Sequence, residues 1–484
     1  MEIDSVFLEI GESGRQQFKY WLVLCLLKVY APFHVLQYTF IGRTSTFYCS
    51  KDGETLTNSC FDNKVASCTN LTFTENTMVA EWGLVCDRNW LSKATMSALM
   101  MGFLMGALVL GNLADRIGRK SNLMLTLMGM LFFNLISSAA NNYPIYLLSR
   151  FCVGFFVSGN ILSVVVLISE IVGPSYRGIY GLAVMGAFPI GILTLSYVAS
   201  HLQSWRILTM FVTLLGIPFV LCHWYLVESP RWFLSKNRQN EAEGVLKRIA
   251  KGNGVNSKLD ISLKSSSVKD NSRVIGDSAL KLFSKKRLLA VTLILCYNWF
   301  VNGASYYGMT LAAGDIGTDI YTGTALSGIV EVPAVFLCYY MIESYGRRFS
   351  LAGFMTVSGL SCLAIQVFTG SSLNSMATSL ALFGKMCIAA SFKVAYILSG
   401  EVFATSIRNS AMGLVSGFAR VGSILSPFIV MAGESMPGIQ FTAFGILGLT
   451  GGILSLWLPE TKGKPLPETM SEMLTKKRTS TQHI

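Results

Sequence analysis

Long apolar stretches recur along the chain and are separated by shorter polar segments. Each is about twenty residues long, the length at which a helix crosses the hydrocarbon core of a bilayer. One of them, Ser410–Met431, carries a single charge, Arg420, near its centre. The pattern predicts an all-α membrane protein with twelve transmembrane helices. The predicted spans lie near residues 20–41, 92–113, 121–140, 144–167, 178–198, 206–227, 288–308, 321–342, 349–369, 376–398, 410–431 and 438–458.

Composition supports this interpretation. The 484 residues are 52% hydrophobic and only 14% charged, whereas soluble domains carry about 25% charged residues. The net charge of +12 is concentrated in residues 228–287, which contain fourteen Lys and Arg against six Asp and Glu. A basic segment between apolar spans is typical of a cytoplasmic loop beside anionic lipid. The lipid bilayer, rather than nucleic acid, is therefore the expected large partner.

A polar segment, residues 42–91, separates the first two spans. It holds four of the eleven cysteines and an N-glycosylation sequon at Asn70. Cysteines and a sequon together indicate an oxidising, extracellular environment. We expect two disulfides, for which three pairings are possible, and a glycan on Asn70. The four cysteines are Cys49, Cys60, Cys68 and Cys86.

Loop charges give an independent orientation. With the cysteine loop outside, the short outer loops near 314–320, 370–375 and 432–438 contain no Lys or Arg, and both termini are predicted to be cytoplasmic. The acidic N-terminal segment is not expected to be a cleavable signal peptide. The predicted inner loops carry Arg116, Arg119, Lys120, Arg177, Arg347, Arg348 and Arg408.

The sequence also repeats itself at a nearly constant offset, which predicts two six-helix halves in the same orientation. Parallel halves are a transporter architecture in which the substrate lies near the membrane midplane. The repeated pairs are Gly118 and Gly346, Glu170 and Glu401, Arg177 and Arg408, and Glu228 and Glu460, at offsets of 228, 231, 231 and 232 residues. The predicted parts are a cytoplasmic segment 1–19, bundles 20–227 and 288–458, a cytoplasmic linker 228–287 and a cytoplasmic tail 459–484.

Several motifs carry a family resemblance. Asn112–Lys120 and Glu228–Trp232 resemble signatures of the major facilitator superfamily. The resemblance to its organic cation, carnitine and organic anion transporter family extends over essentially the whole chain. It implies alternating-access transport of small organic ions across the plasma membrane, with no cofactor and no metal. The motifs that carry the narrower resemblance are Glu9–Gly14, Glu331–Ala334, Gly384–Lys385, Ala419–Pro427 and Pro459–Glu468.

Three ionisable residues are predicted to share one depth. Glu331 and Arg420 lie ten residues into their spans and Lys385 nine, which places each about 13–15 Å into the membrane. Their excess of positive charge suits a substrate carboxylate, which Arg420 can bind through two parallel hydrogen bonds. The alternative is that Glu331 only neutralises Arg420 or Lys385.

The resemblance refines the expected substrate. Cation transporters of the family carry an acid at the position of Arg420, whereas anion and carnitine members carry arginine there. The glutamate at position 331 resembles the residue that cation and carnitine members carry there. The combination of Glu331 with Arg420 therefore favours a carboxylate-bearing, carnitine-like zwitterion or an organic anion. Lys393 stands at a position where the resemblance implies a smaller polar residue. Lys28 and Arg150 are two further cations that are predicted to lie deep in the membrane. Other positions that match the family's cavity lining are His34, Tyr306, Tyr307 and Phe392.

Acids and arginines also cluster at the predicted inner ends of the spans. Pairs that form in one state and break in the other supply a bistable element for alternating access. The alternative is a role in topology and helix capping alone. These candidate gating residues are Asp115, Arg116, Arg119, Glu170, Arg177, Glu343, Arg347, Glu401 and Arg408.

Other functions remain open at this point. An organic cation transporter driven by membrane potential is one alternative, and a non-transporting receptor or scaffold with the same fold is another. A coupling ion, whether sodium, a proton or an exchanged anion, is compatible with the sequence. An enzyme is not expected, because the chain contains no HExxH motif, nucleotide-binding glycine loop or zinc spacing.

Overall fold

The computed structural model describes residues 3–255, 286–312, 319–368, 374–403, 407–436 and 438–464. The predicted tail beyond residue 464, the linker from 256 to 285 and most of the outer loops near 314–320 and 370–375 lie outside the described residues. The chain forms two compact units. One is drawn from residues 1–267 and 313–329, and the other from residues 268–312 and 330–484.

The described residues are mostly helical. The helices are α1 (Ile3–Ile10), α2 (Arg15–Val35), α3 (Tyr38–Ile41), α4 (Met78–Trp82), α5 (Asn89–Ile117), α6 (Arg119–Ala139), α7 (Tyr143–Ile171), α8 (Arg177–His201), α9 (Trp205–Val220), α10 (Cys222–Tyr225), α11 (Pro230–Ser235), α12 (Gln239–Gly252), α13 (Lys286–Leu311), α14 (Ile320–Tyr345), α15 (Arg347–Phe368), α16 (Asn374–Val402), α17 (Arg408–Ser435) and α18 (Ile439–Ser455).

The long helices agree with the predicted spans. Eleven helices among the described residues are long and apolar enough to cross a membrane, and α18 is a shorter apolar helix. This set is consistent with twelve transmembrane helices. An apolar run in lipid becomes helical because only a helix satisfies all its backbone hydrogen bonds internally. Several helices, such as α5 and α7 with 29 residues each, are longer than the about 20 residues that the bilayer core requires.

The loop between α3 and α5 forms a small antiparallel sheet of three strands, β1 (Phe47–Lys51), β2 (Glu54–Thr57) and β3 (Asn70–Phe73), in the order β2-β1-β3. The structure decides the disulfide pairing that the sequence left open, since Cys49 bonds to Cys68 and Cys60 to Cys86. Asn70, at the start of β3, is exposed, as glycosylation requires. The glycan itself remains a prediction.

Glycines set the closest helix approach in the second unit. A Cβ on Gly303 of α13 would lie 2.0 Å from the Ala419 carbonyl oxygen of α17. A Cβ on Gly422 would lie 2.2 Å from the Phe300 carbonyl oxygen. The backbones of α13 and α17 therefore touch directly on either side of Arg420, and only small residues allow such packing.

This contact predicts that alanine substitutions at Gly303 and Gly413 have different effects on stability. Gly303→Ala should lower the free energy of unfolding by about 1–3 kcal/mol, because the added methyl meets backbone that cannot rotate away. The matched control is Gly413→Ala on α17, where a Cβ meets nothing within 4 Å. Thermal unfolding of the detergent-solubilised protein measures both. Equal midpoints for the two variants would contradict the described crossing.

Candidate functional site

Three helices of the second unit carry a group of four charged side chains. We define the cationic cluster as Glu331 on α14, Lys385 and Lys393 on α16, and Arg420 on α17. Three cations against one acid leave a formal excess of two positive charges. Lys385 and Glu331 form a buried ion pair, which we call the sealed pair, whereas Lys393 and Arg420 are partly accessible.

The sealed pair is Lys385 and Glu331. Their side chains are 3% and 4% exposed, and the Lys385 Nζ lies 3.6 Å from Glu331 Oε1. The ammonium also donates to the Tyr306 carbonyl oxygen at 2.9 Å and to the Thr310 hydroxyl at 2.5 Å. A buried charge pair is tolerated when additional hydrogen bonds replace the lost water. Glu331 therefore neutralises Lys385, as one of the two interpretations of the sequence proposed.

Tyr306 completes this pair. Its hydroxyl donates to Glu331 Oε1 at 2.7 Å, and Lys385 Nζ lies 3.3 Å from the centre of its ring. A cation over an aromatic face is attracted by the ring quadrupole. The three side chains thus form a closed unit in which each polar group has a partner, and Tyr306 positions the pair.

Arg420 has a different environment. It is half-buried, and a side-chain hydrogen bond joins it to Tyr307 of α13. Tyr307 is itself buried at 6% exposure, so this contact directs the guanidinium toward α13. Arg420 is therefore held in place by a neutral group while remaining partly accessible.

Aromatic rings line the same part of the second unit. Phe392 lies 5.9 Å from Tyr306 and 5.9 Å from Tyr396, measured between ring centres. Tyr306 and Tyr307 are 5.2 Å apart. We call Trp299, Tyr306, Tyr307, Phe392 and Tyr396 the aromatic group. It provides apolar faces beside the cationic cluster.

Sequence reasoning found three of these five rings and missed Trp299 and Tyr396. Their ring centres lie 4.3 Å apart, and Trp299 Nε1 donates to the Ser399 hydroxyl at 2.9 Å. Helical spacing contained a signal for both. Tyr396 follows Phe392 by one turn, and Trp299 precedes Tyr306 by two turns, and such spacings place side chains on one helix face.

The structure places His34 in the first unit. It is fully buried on α2, with its ring edge-on to Tyr30 at 4.7 Å. Its backbone carbonyl accepts from Arg150 Nη2 at 2.8 Å. Arg150 Nη1 donates to Asn134 Oδ1 at 3.2 Å, and Arg150 is also fully buried. Arg150 therefore does not extend to the membrane surface, and no local sequence pattern indicates that it meets His34.

Lys28, the other deep cation of the first unit, is also buried. Its exposed fraction is 7%, and its Nζ lies 5.9 Å from the ring centre of Phe188 on α8. Lys28 thus packs inside the first unit.

The helix ends that are predicted to face the cytoplasm carry two equivalent charge clusters. In the first unit, Arg119 pairs with Asp115 at 3.0 Å and with Glu170 at 3.0 Å. In the second, Arg347 pairs with Glu343 at 3.9 Å and with Glu401 at 3.1 Å. The sequence repeat is therefore reproduced in the partners as well as in the residues.

The other candidate gating residues have different partners. Each pair just described joins residues of one unit. Arg177 pairs with Asp4 at 2.5 Å, and Arg408 Nε donates to the Phe403 carbonyl oxygen at 3.2 Å. Arg116 is exposed. The reason is geometric: the start of α6 brings Arg119 beside the end of α7, whereas Arg177 turns toward α1.

Two acids cap helices at these clusters. Glu228 accepts from the backbone N–H of Arg119 at 2.8 Å, and Glu460 accepts from that of Arg347 at 2.9 Å. Free N–H groups and the helix dipole make a helix N-terminus favourable for a carboxylate. Gly118 and Gly346, with φ of +102° and +86°, precede the two helices.

A side chain at either position would clash with the capping acid, which explains why both residues are glycines. A Cβ on Gly118 would lie 2.3 Å from Glu228 Oε2, and one on Gly346 would lie 2.7 Å from Glu460 Oε2.

Burial raises the pKa of the Glu460 carboxyl, but backbone N–H donors from Lys462, Arg347 and Arg348 outweigh the effect of burial and leave that pKa lowered. Sequence reasoning treated these acids as landmarks of the repeat and as members of the family motifs, and missed their capping role.

Comparison with known proteins identifies the family. A family model described as sugar (and other) transporter matches residues 38–473. The organic cation transporter protein of Drosophila melanogaster is 32% identical, covering 98% of this chain and 94% of that protein. Human solute carrier family 22 member 13 is 32% identical, covering 97% of this chain and 92% of that protein. The chain belongs to solute carrier family 22.

Solved structures agree on the fold. The inward-open xylose transporter XylE from E. coli superposes with a TM-score of 0.68 at 17% identity, covering 93% of this chain and 98% of that one. This likeness confirms the predicted major-facilitator-type fold. As a family 22 member, the protein is a multi-pass membrane transporter of organic ions, and its family is one of transporters rather than enzymes.

The sealed pair predicts a specific stability pattern. Glu331→Gln should destabilise the protein by about 3–5 kcal/mol, because it leaves the Lys385 ammonium buried without its acid. The double variant Glu331→Gln/Lys385→Gln should recover most of that loss. Thermal unfolding in detergent measures both effects.

The matched control is Glu343→Gln, which removes an exposed acid from the inner end of the same helix. Surface ion pairs contribute about 0–1 kcal/mol, so its unfolding midpoint should stay close to that of the unmodified protein. A double variant no more stable than Glu331→Gln would show that the two side chains do not act as a pair.

Proposed function

We propose that this protein transports a carboxylate-bearing zwitterion or an organic anion across the plasma membrane by alternating access, with both termini cytoplasmic. Arg420 binds the substrate carboxylate and the aromatic group packs against the organic part. One observation carries the proposal. Glu331, the acid of the cationic cluster, forms its ion pair with Lys385, whereas Arg420 is half-buried and hydrogen-bonds with Tyr307.

The charge of the cluster supports an anionic group on the substrate. A cation entering beside Lys393 and Arg420 would meet two like charges, and like charges in a medium of low dielectric repel strongly. A carboxylate would find a guanidinium whose planar donors match its two oxygens. Aromatic faces bind planar organic anions through packing and quaternary ammonium groups through the ring quadrupole, so the same rings suit either end of a zwitterion.

The membrane potential sets different requirements for the two substrates. Moving one charge across the membrane involves about 2.3 kcal/mol per 100 mV. A zwitterion crosses without this cost. A monoanion entering a cell with a negative interior requires exchange for another anion or co-transport with sodium or a proton.

The inner charge clusters supply the proposed gate. Arg119 and Arg347 each pair with two acids at helix ends, where water and ions can replace the pairs when helices move apart. Ion pairs that form in one conformation and break in another bias a two-state equilibrium.

An organic cation is the second candidate, since a Drosophila relative is named as an organic cation transporter. Glu331 would then have to bind the cation. Its pairing with Lys385 and Tyr306 argues against this, because both interactions would have to break. A receptor or scaffold role is distinguished by uptake into proteoliposomes, which such a protein would not support.

The proposal predicts the behaviour of Arg420→Ala. Uptake of para-aminohippurate, urate or carnitine should fall by about tenfold to a hundredfold, since a hydrogen bond to a charged group contributes about 1.5–3 kcal/mol. Tetraethylammonium serves as the cation probe. Uptake is measured with and without sodium at clamped potential, and surface abundance by biotinylation.

Arg88→Ala, which removes an exposed arginine from the outer loop, is the matched control and should leave uptake unchanged. If Arg420→Ala reduced surface abundance and uptake in equal proportion, Arg420 would be a structural residue. Selective uptake of tetraethylammonium would support the cation alternative instead.

A further inference from the structure

The N-terminal segment, which we define as residues 3–17, is docked on the first unit. Val6, Phe7 and Ile10 lie on one face of α1, and each is fully buried. Asn253, the residue that follows α12, donates from its side chain to the Ile10 carbonyl oxygen at 2.9 Å. Apolar burial and hydrogen bonds to the end of α12 therefore both hold α1 in place.

The loop between α7 and α8 contacts the middle of this segment. The Gly173 N–H donates to the Glu12 carbonyl oxygen at 2.9 Å, and a Cβ on Gly173 would lie 2.4 Å from the Glu12 Cβ. Oε1 of Glu12 accepts from the Ser175 hydroxyl at 3.2 Å. The two stretches of chain are thus in direct contact, and a group added to the Ser175 oxygen comes close to the Glu12 carboxylate.

Asp4 holds the start of the segment through two arginines. Its carboxylate accepts from Arg177, the first residue of α8, at 2.5 Å, and also from Arg231 of α11. All three side chains are partly accessible to solvent. Ion pairs at a surface are individually weak, so a competing charge beside Arg177 is able to reverse this part of the docking.

Ser175 is the residue at which such a charge can be added. It is exposed, and its loop is predicted to be cytoplasmic, where ATP and protein kinases are available. A phosphoserine carries a charge of about −1.5 to −2 at pH 7. Such a charge repels the carboxylate of Glu12, and two residues before Arg177 it offers that guanidinium a stronger partner than Asp4. Both effects weaken the docking of the N-terminal segment.

We propose that Ser175 is a phosphorylation site and that its modification releases the N-terminal segment from the first unit. A protein kinase transfers the γ-phosphoryl group of ATP to Ser175 Oγ. The bond between Oγ and phosphorus forms, the bond between the γ-phosphorus and the β–γ bridging oxygen breaks, ADP leaves, and the hydroxyl proton passes to a base of the kinase.

The modification changes the partner of a candidate gating residue. Arg177 binds the phosphate instead of Asp4, which is left with Arg231, and Glu12 is repelled from the loop. The inference goes beyond the proposed function and is independent of which substrate is transported.

Peptide mass spectrometry tests the modification. The full-length protein is expressed in cultured animal cells in the presence of okadaic acid, a phosphatase inhibitor, and is purified in detergent. Chymotryptic peptides that contain Ser175 should carry one phosphate, and treatment with lambda protein phosphatase should remove it. Absence of phosphate on these peptides under phosphatase inhibition overturns the assignment of the site.

Hydrogen exchange tests the release. Ser175→Glu should raise the amide exchange rate of residues 3–17 by about fivefold, whereas Ser175→Gln should change it by less than about twofold. Glutamine is the matched control because it has the size of glutamate without the charge. Adding Glu12→Gln to the Ser175→Glu protein should restore most of the protection, since it removes the repelled carboxylate.

Asp4→Asn is the positive control, because it removes the acid from both arginines and should also raise the exchange rate of residues 3–17. Equal rates in the Ser175→Glu and Ser175→Gln proteins overturn the charge mechanism, and so does a Glu12→Gln substitution that restores no protection. If Asp4→Asn accelerates exchange and Ser175→Glu does not, the segment is held by its ion pairs but Ser175 does not control it, and the proposal fails.

Discussion

Charge inside a bilayer has to be stabilised by the protein, because lipid supplies neither water nor counter-ions. The second unit solves this problem in two ways. Lys385 is buried, pairs with Glu331 and donates hydrogen bonds to the Tyr306 carbonyl oxygen and the Thr310 hydroxyl. Arg420 is held by a neutral tyrosine and keeps part of its surface accessible. The first arrangement favours a stable fold, and the second leaves a buried-helix cation partly accessible.

Close backbone packing makes the second arrangement possible. Gly303 and Gly422 bring α13 and α17 into direct contact on either side of Arg420. That contact fixes the helix that carries the arginine against the helix that carries Tyr307. A guanidinium on a loosely packed helix would move toward the membrane surface, as long cationic side chains do when they can reach it. The position of Arg420 relative to α13 therefore depends on two residues that have no side chain.

The starts of α6 and α15 follow a second principle. At each of them, one acid accepts hydrogen bonds from backbone N–H groups and another acid pairs with an arginine side chain. Glu228 and Glu460 cap the helices that begin at Arg119 and Arg347, and Glu170 and Glu401 pair with the guanidinium groups of those same arginines. Backbone caps persist as long as the helix does, whereas surface ion pairs contribute little and exchange readily with water. Each of these two helix starts therefore combines a persistent backbone cap with ion pairs that exchange more readily.

The sequence alone determined the number of spans, the repeated halves and the family, because apolar length and motif spacing are local properties of the chain. It also placed Glu331, Lys385 and Arg420 at one depth. Only the tertiary structure decided that Glu331 pairs with Lys385, that Cys49 bonds to Cys68, and that His34 meets Arg150. Partner choice depends on helix rotation and packing between segments far apart in sequence, and those quantities have no local signature in the order of residues.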